Sequence, residues 1–109
     1  MNLDELRAKY GKVIPVQVEV PNLCDPDGED VVLQFVFKHP KSADVDRYLK
    51  ETATSPSNAL KNLCHTLIVE EMKPDLTKAM DDYPMIHASL ANPLLERAGL
   101  NGKATVRNF

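Results

Sequence analysis

The stretch Val31-Val32-Leu33-Gln34-Phe35-Val36-Phe37-Lys38-His39-Pro40-Lys41-Ser42-Ala43-Asp44-Val45 changes its hydrophobic period at Pro40. Before the proline, Val31, Leu33, Phe35 and Phe37 alternate with Gln34 and Lys38, the period-2 pattern of a half-buried strand. After it, apolar residues recur at helical spacing to about Gly99. A matching alternation lies upstream, with Ile14, Val16, Val18 and Val20 on one face and Pro15, Gln17 and Glu19 on the other. The runs 13–20 and 31–37 flank the polar loop Asn22-Leu23-Cys24-Asp25-Pro26-Asp27-Gly28-Glu29-Asp30. This predicts an antiparallel hairpin with one wet side, and Pro15, which cannot donate to a ladder, either at an edge position or just before the start of the strand. A lone hairpin is marginal in water, so helices or another chain must cover its apolar face.

The flanking segments supply those helices. Asn2 is placed to cap a first helix, with Glu5 completing a capping box, Leu3, Leu6 and Tyr10 inward, and Gly11 as the stop. Ser42 is expected to cap a second helix carrying Val45, Tyr48 and Leu49. Ser55-Pro56 opens the longest, whose stripe runs Ala59, Leu60, Leu63, Cys64, Leu67, Ile68 and Met72. Pro74 begins a short helix through Leu76, Ala79 and Met80. After Tyr83-Pro84, a last helix runs through Ile86, Leu90, Leu94, Leu95 and Ala98, with Asn92-Pro93 predicted to kink or restart it. The expected fold is therefore α+β: an N-terminal helix and antiparallel β-hairpin followed by a small bundle of four or so helices. Residues 1–100 form one domain, and 101–109 a polar, mildly basic, flexible tail.

Composition narrows the function classes. A chain of 109 residues, 43% hydrophobic and 27% charged, is a single globular domain with a modest core. No apolar run approaches the ~20 residues that span a bilayer, so no membrane partner is expected. The charged start Met1-Asn2-Leu3-Asp4-Glu5-Leu6-Arg7 does not read as a secretory signal. Cys24 and Cys64 lie on unrelated elements and are expected as reduced thiols, which points to the cytoplasm. A net charge of -3 argues against a general nucleic-acid binder.

The candidate chemistries each lack a required part. In the 25–30 loop Gly28 follows only two acidic positions, and Gln34 stands where an EF-hand glutamate would fall, so the loop reads as a turn. Cys64, His65, His39, His87 and Cys24 show no short chelating spacing for zinc. Cys64 lies on an apolar stripe, so a buried structural thiol outweighs a nucleophile paired with His87 or His39. Segment 70–82 sets Glu70, Glu71, Asp75, Asp81 and Asp82 against Lys73 and Lys78, which would repel the phosphates a helix-turn-helix must approach. No catalytic residue, cofactor or metal is assigned. Met72, Met80 and Met85 add adaptable thioethers that suit a groove for a protein partner.

Phe37-Lys38-His39-Pro40 leading to Ala43-Asp44-Val45-Asp46-Arg47-Tyr48 resembles the phage tail assembly chaperones, small proteins encoded beside the tape-measure gene. Ala59-Leu60-Lys61-Asn62-Leu63, Tyr83-Pro84 and Leu90-Ala91-Asn92-Pro93-Leu94-Leu95-Glu96-Arg97-Ala98-Gly99-Leu100 extend the resemblance from Phe37 to Leu100. It implies a non-catalytic protein that coats a long, hydrophobic helical client, the tape-measure protein, with homo-oligomers possible through an open hairpin edge. A longer N-terminal helix and hairpin loop, and Pro93 in the last helix, depart from the family pattern. The client surface is expected on the helical half, with Leu67, Met80, Met85, Ile86 and Leu90 as candidates. The alternatives are a small structural protein of a phage tail or similar particle and, further off, a minor enzyme using Cys64.

Overall fold

Alternation and helical spacing settle into the expected elements in a computed structural model that describes residues 2–25, 27–99 and 106. In order these are α1 (Leu3–Tyr10), β1 (Val13–Val20), β2 (Val31–Lys38), α2 (Ser42–Thr52), α3 (Pro56–Leu67), a 3₁₀ turn (Glu70–Met72), α4 (Lys73–Asp82) and α5 (Ile86–Arg97). The architecture is α+β, an N-terminal helix and a two-stranded antiparallel hairpin followed by helices. No helix among the described residues is long and apolar enough to cross a membrane.

The strands pair from Val13 opposite Lys38 to Val20 opposite Val31. That register puts Ile14, Val16, Phe35 and Phe37 on one face, where they join Leu63, Leu67, Leu76, Leu90 and Leu94 in the main core. Helices α3, α4 and α5 thus cover the inner face of the hairpin. The outer face is wet only in part. Near the open end of the hairpin, Leu6 of α1 meets Val36 and Val69 in a second, smaller cluster. The expectation of one wet side is corrected there, because α1 brings its own apolar face to bury.

Local signals explain most boundaries. The Asn2 side chain accepts the Glu5 N–H at 2.9 Å, and α1 ends at Gly11, whose φ of 80° suits glycine. Lys9 and Tyr10 then tie the end of α1 to Glu71: the Tyr10 hydroxyl and the Lys9 ammonium both donate to that carboxylate. In the hairpin loop the Asn22 side chain accepts the N–H groups of Cys24 and Asp25, and Asp25 accepts that of Asp27, an Asx-type turn. A Cβ at Gly28 would lie 2.8 Å from the Asp25 carboxylate, so a larger residue there would push the Asp25 side chain aside.

Three boundaries depart from expectation. Helix α2 begins at Ser42 with Lys41 at the cap position, and the Asp44 carboxylate accepts the Lys41 N–H at 2.9 Å in place of a serine cap. The stripe expected to run through Ile68 and Met72 in one helix stops at Leu67. Ile68 bridges to Phe37, and the Val69 N–H donates to the Val36 carbonyl at 3.2 Å. Helix α5 continues through Pro93 without a restart. The proline leaves the Ser89 carbonyl without its helical donor, and Ser89 is exposed, so water can satisfy it.

These bonds also fix the phase of the sheet. Since Val36 turns its backbone toward Val69, and His39 donates to the Lys12 carbonyl, Val32, Gln34 and Val36 face away from β1. Their partners Glu19, Gln17 and Pro15 form the opposite edge. Pro15 therefore stands where no ladder hydrogen bond is required of it, as its chemistry demands.

Leu76 and Leu94 are fully buried, whereas Leu49 is 60% exposed. Truncating either core leucine to alanine should cost ~2–5 kcal/mol by lost burial and an unfilled cavity. Leu49→Ala should stay within ~0.5 kcal/mol. Urea unfolding of the three variants checks both.

Candidate functional site

At the turn end of the hairpin, β1 runs out against the connection between α4 and α5. Helix α4 closes with the Tyr83 N–H on the Ala79 carbonyl at 2.8 Å, and the Ile86 N–H then bonds the Tyr83 carbonyl at 3.0 Å. The Tyr83 hydroxyl donates to the Pro21 carbonyl at 2.7 Å and pins this corner to the end of β1. Between them lies an open groove of about 380 Å³, with Val18, Val20, Pro21, Tyr83, Met85 and Ile86 among its walls. Met85 stands on it 72% exposed, an unbranched thioether with few neighbours. An arrangement of this kind, largely apolar and open with a flexible rim residue, has the surface to accept apolar side chains of another molecule.

The structure divides the five residues expected to bind a client. Leu67 and Leu90 are 2% and 0% exposed, so their stripes face the core, and Ile86, 4% exposed, is packed into the core while closing the floor of the groove. Met80 is half-buried against the same core, and Met85 alone projects. The groove's other walls, Val18, Val20, Pro21 and Tyr83, escaped the sequence reading. The only signal for them was Tyr83-Pro84, which reads as punctuation until the tyrosine is seen to reach back to β1.

Cys64 and His87 come together, but not as a catalytic pair. The Cys64 thiol is fully buried and points to the backbone carbonyl of His87 at 3.8 Å, not to its ring. Burial pushes the thiol up to about 12, so the thiolate a nucleophile needs is scarce. The His87 ring is 2% exposed, with Nε2 3.5 Å from the Ser57 hydroxyl and Nδ1 in no well-aligned hydrogen bond among the described residues. Burial, aided by the Lys61 charge, holds it below its ordinary value of 6.5, while the Pro84 carbonyl pulls weakly the other way. The His39 ring is engaged with the Pro40 carbonyl at 3.0 Å, and His65 and Cys24 are exposed. Among the described residues no three His, Cys, Asp or Glu side chains converge as metal ligands.

Comparison with known proteins places the whole chain beside relatives of the same kind. A family model described as a domain of unknown function (DUF6848) matches residues 6–107. The solved structure of the uncharacterised protein rbstp2171 from Bacillus stearothermophilus is similar over 97% of this chain and 100% of that one, at 31% identity and a TM-score of 0.78. No curated protein matches the chain.

Two measurements probe the buried pair. One thiol, Cys24, should react at once with a thiol reagent in the native protein, and the second only on unfolding. For His87 the folded group resists protonation, so the unfolded chain binds more protons between its depressed value and 6.5. Stability should therefore fall on acidification through that window and level off at higher pH. Urea midpoints measured from about pH 7.5 to about pH 5 should show this slope, and His87→Gln should flatten it.

Proposed function

The chain belongs to the DUF6848 family, and we propose that it is a non-catalytic tail assembly chaperone of a phage or prophage, holding a long helical client. The observation that carries this reading is the exposed Met85 on an apolar groove at the corner of α4, α5 and β1. A tape-measure-like client is a long helix with apolar residues at i, i+3, i+4 and i+7, and it would aggregate if left bare. A groove with a thioether rim accepts successive turns of such a stripe without demanding one side-chain shape. Leu23, 58% exposed two residues beyond Pro21, adds apolar surface to the same loop. Weak binding at each groove is enough, because many copies along one client multiply their hold. The cytoplasm, where tails are assembled, is the corresponding compartment.

A second reading has its own observation. Among the described residues half of the outer edge of β2 is unpaired, so the hairpin could extend a neighbour's sheet as a structural part of a tail or similar particle. Such a part stays in finished particles, and a chaperone leaves before completion. Mass spectrometry of purified particles separates the two.

The chaperone reading predicts that Met85→Asp weakens capture of the co-expressed tape-measure protein about tenfold or more, a loss of about 1.4 kcal/mol. The unfolding midpoint should not move, since Met85 is exposed. Leu49→Asp, at another exposed apolar site on α2, is the control and should bind as the parent does. Equal binding by all three proteins would remove the groove from the function.

A further inference from the structure

The groove at the α4–α5 corner is apolar along its base, and its two charged walls are both carboxylates. Glu19 stands on the β1 side and Asp82 on the α4 side. Both are exposed, and neither forms an ion pair among the described residues. Lys78, one turn before Asp82 on α4, lines the neighbouring slot along β2 and is not a wall of this groove.

The segments that build this end of the molecule carry charge of one sign. From Val13 to Phe37 the chain holds Glu19, Asp25, Asp27, Glu29 and Asp30, with no Lys, Arg or His. Four of these lie in the loop that follows Pro21, itself a wall of the groove. From Ala79 to Leu95 it adds Asp81 and Asp82, again with no Lys or Arg, and the one histidine there, His87, is buried. Seven of the chain's sixteen carboxylates and none of its thirteen Lys and Arg side chains fall in these two segments, so the net charge of -3 understates the field at this corner. Such a surface draws in cations and turns away nucleic acid and anionic lipid.

Resting on the reading of this groove as a helix-binding site, we propose that the partner segment it takes is a cationic amphipathic helix, with one apolar stripe and Lys or Arg on both flanks of that stripe. A helix laid with its stripe against Met85 and Val18 turns the flanking positions toward Glu19 on one side and Asp82 on the other. Lys and Arg suit those positions, because their alkyl stems cover apolar wall while the charged ends reach the rim. Glutamate at the same positions would meet like charge. The loop carboxylates act earlier, steering a basic segment to the corner before contact. Apolar burial then sets how long a helix stays, and the acidic rim sets which helices are admitted.

The test uses the full chain and synthetic helical peptides that share one leucine stripe and are flanked by Lys, by Gln or by Glu, with fluorescence anisotropy as the readout. At about 0.05 M salt the Lys peptide should bind about fivefold or more tighter than the Gln peptide, and the Glu peptide should bind weakest. The differences should close near about 1 M salt. Glu19→Lys and Asp82→Lys should each weaken the Lys peptide and strengthen the Glu peptide, with unchanged circular dichroism, since both positions are exposed. Asp46→Lys, the same charge change at an exposed site on α2 outside the groove, should keep the parent's order and affinities. Equal binding of the three peptides, or a loss from Asp46→Lys as large as that from Asp82→Lys, overturns the charge selection and leaves the groove reading standing. No binding by any peptide overturns both.

Discussion

The structure hangs on the junction where Ile68 and Val69 leave α3 and run along the end of β2. Helical spacing alone would carry α3 onward through Met72. The edge of β2, however, offers an unpaired carbonyl at Val36, and two β-branched residues reach it in extended form. Burying both side chains completely while satisfying that carbonyl outweighs a further turn of helix. The consequence is a sharp change of direction. It seats Met72 and Val69 against α1 on the outer face and starts α4 on the inner one, so both clusters of the core depend on it.

The same junction divides the edge of β2 into a closed half and an open half. Where Val69 pairs, the sheet is finished and no other strand can enter. Where it stops, α4 has already turned beneath the sheet and presents its exposed residues beside the bare backbone. Edge protection in so small a sheet is therefore local, decided by which few residues of the next element reach the strand. The Tyr83 hydroxyl performs a comparable task at the other end. By bonding Pro21 it holds the α4–α5 corner against β1 and leaves Met85 on the rim.

Buried polar groups show how little of this interior is arranged for chemistry. The thiol of Cys64 donates to a backbone carbonyl, and the ring of His87 is buried with one nitrogen in no well-aligned hydrogen bond among the described residues. Two reactive residue types lie close in space, yet the thiol faces the main chain and the imidazole is held neutral by desolvation. Proximity alone does not make a catalytic pair. Orientation decides it, and here the orientation serves packing.

The sequence by itself determined the hairpin, its register face, the order of the helices and most of the core, because those rest on period and punctuation. Alternation from Val31 to Phe37 marks the face that meets the main core, Pro15 must stand where no ladder bond is asked of it, and Gly11 and Ser55-Pro56 mark helix ends through backbone chemistry that any context respects. Tertiary structure decided where a pattern has two outlets. Ile68 continues a helical stripe and also suits a strand, and only the open carbonyl of Val36 chooses between them. Leu67, Ile86 and Leu90 suit a core or a groove equally in sequence, and only packing against the hairpin buries them. Met85, of the same apolar character, was left outside. The groove joins residues more than sixty positions apart, Val18 to Pro21 with Tyr83 to Ile86. No local pattern records such a meeting, because it follows from the corner that one tyrosine hydroxyl pins.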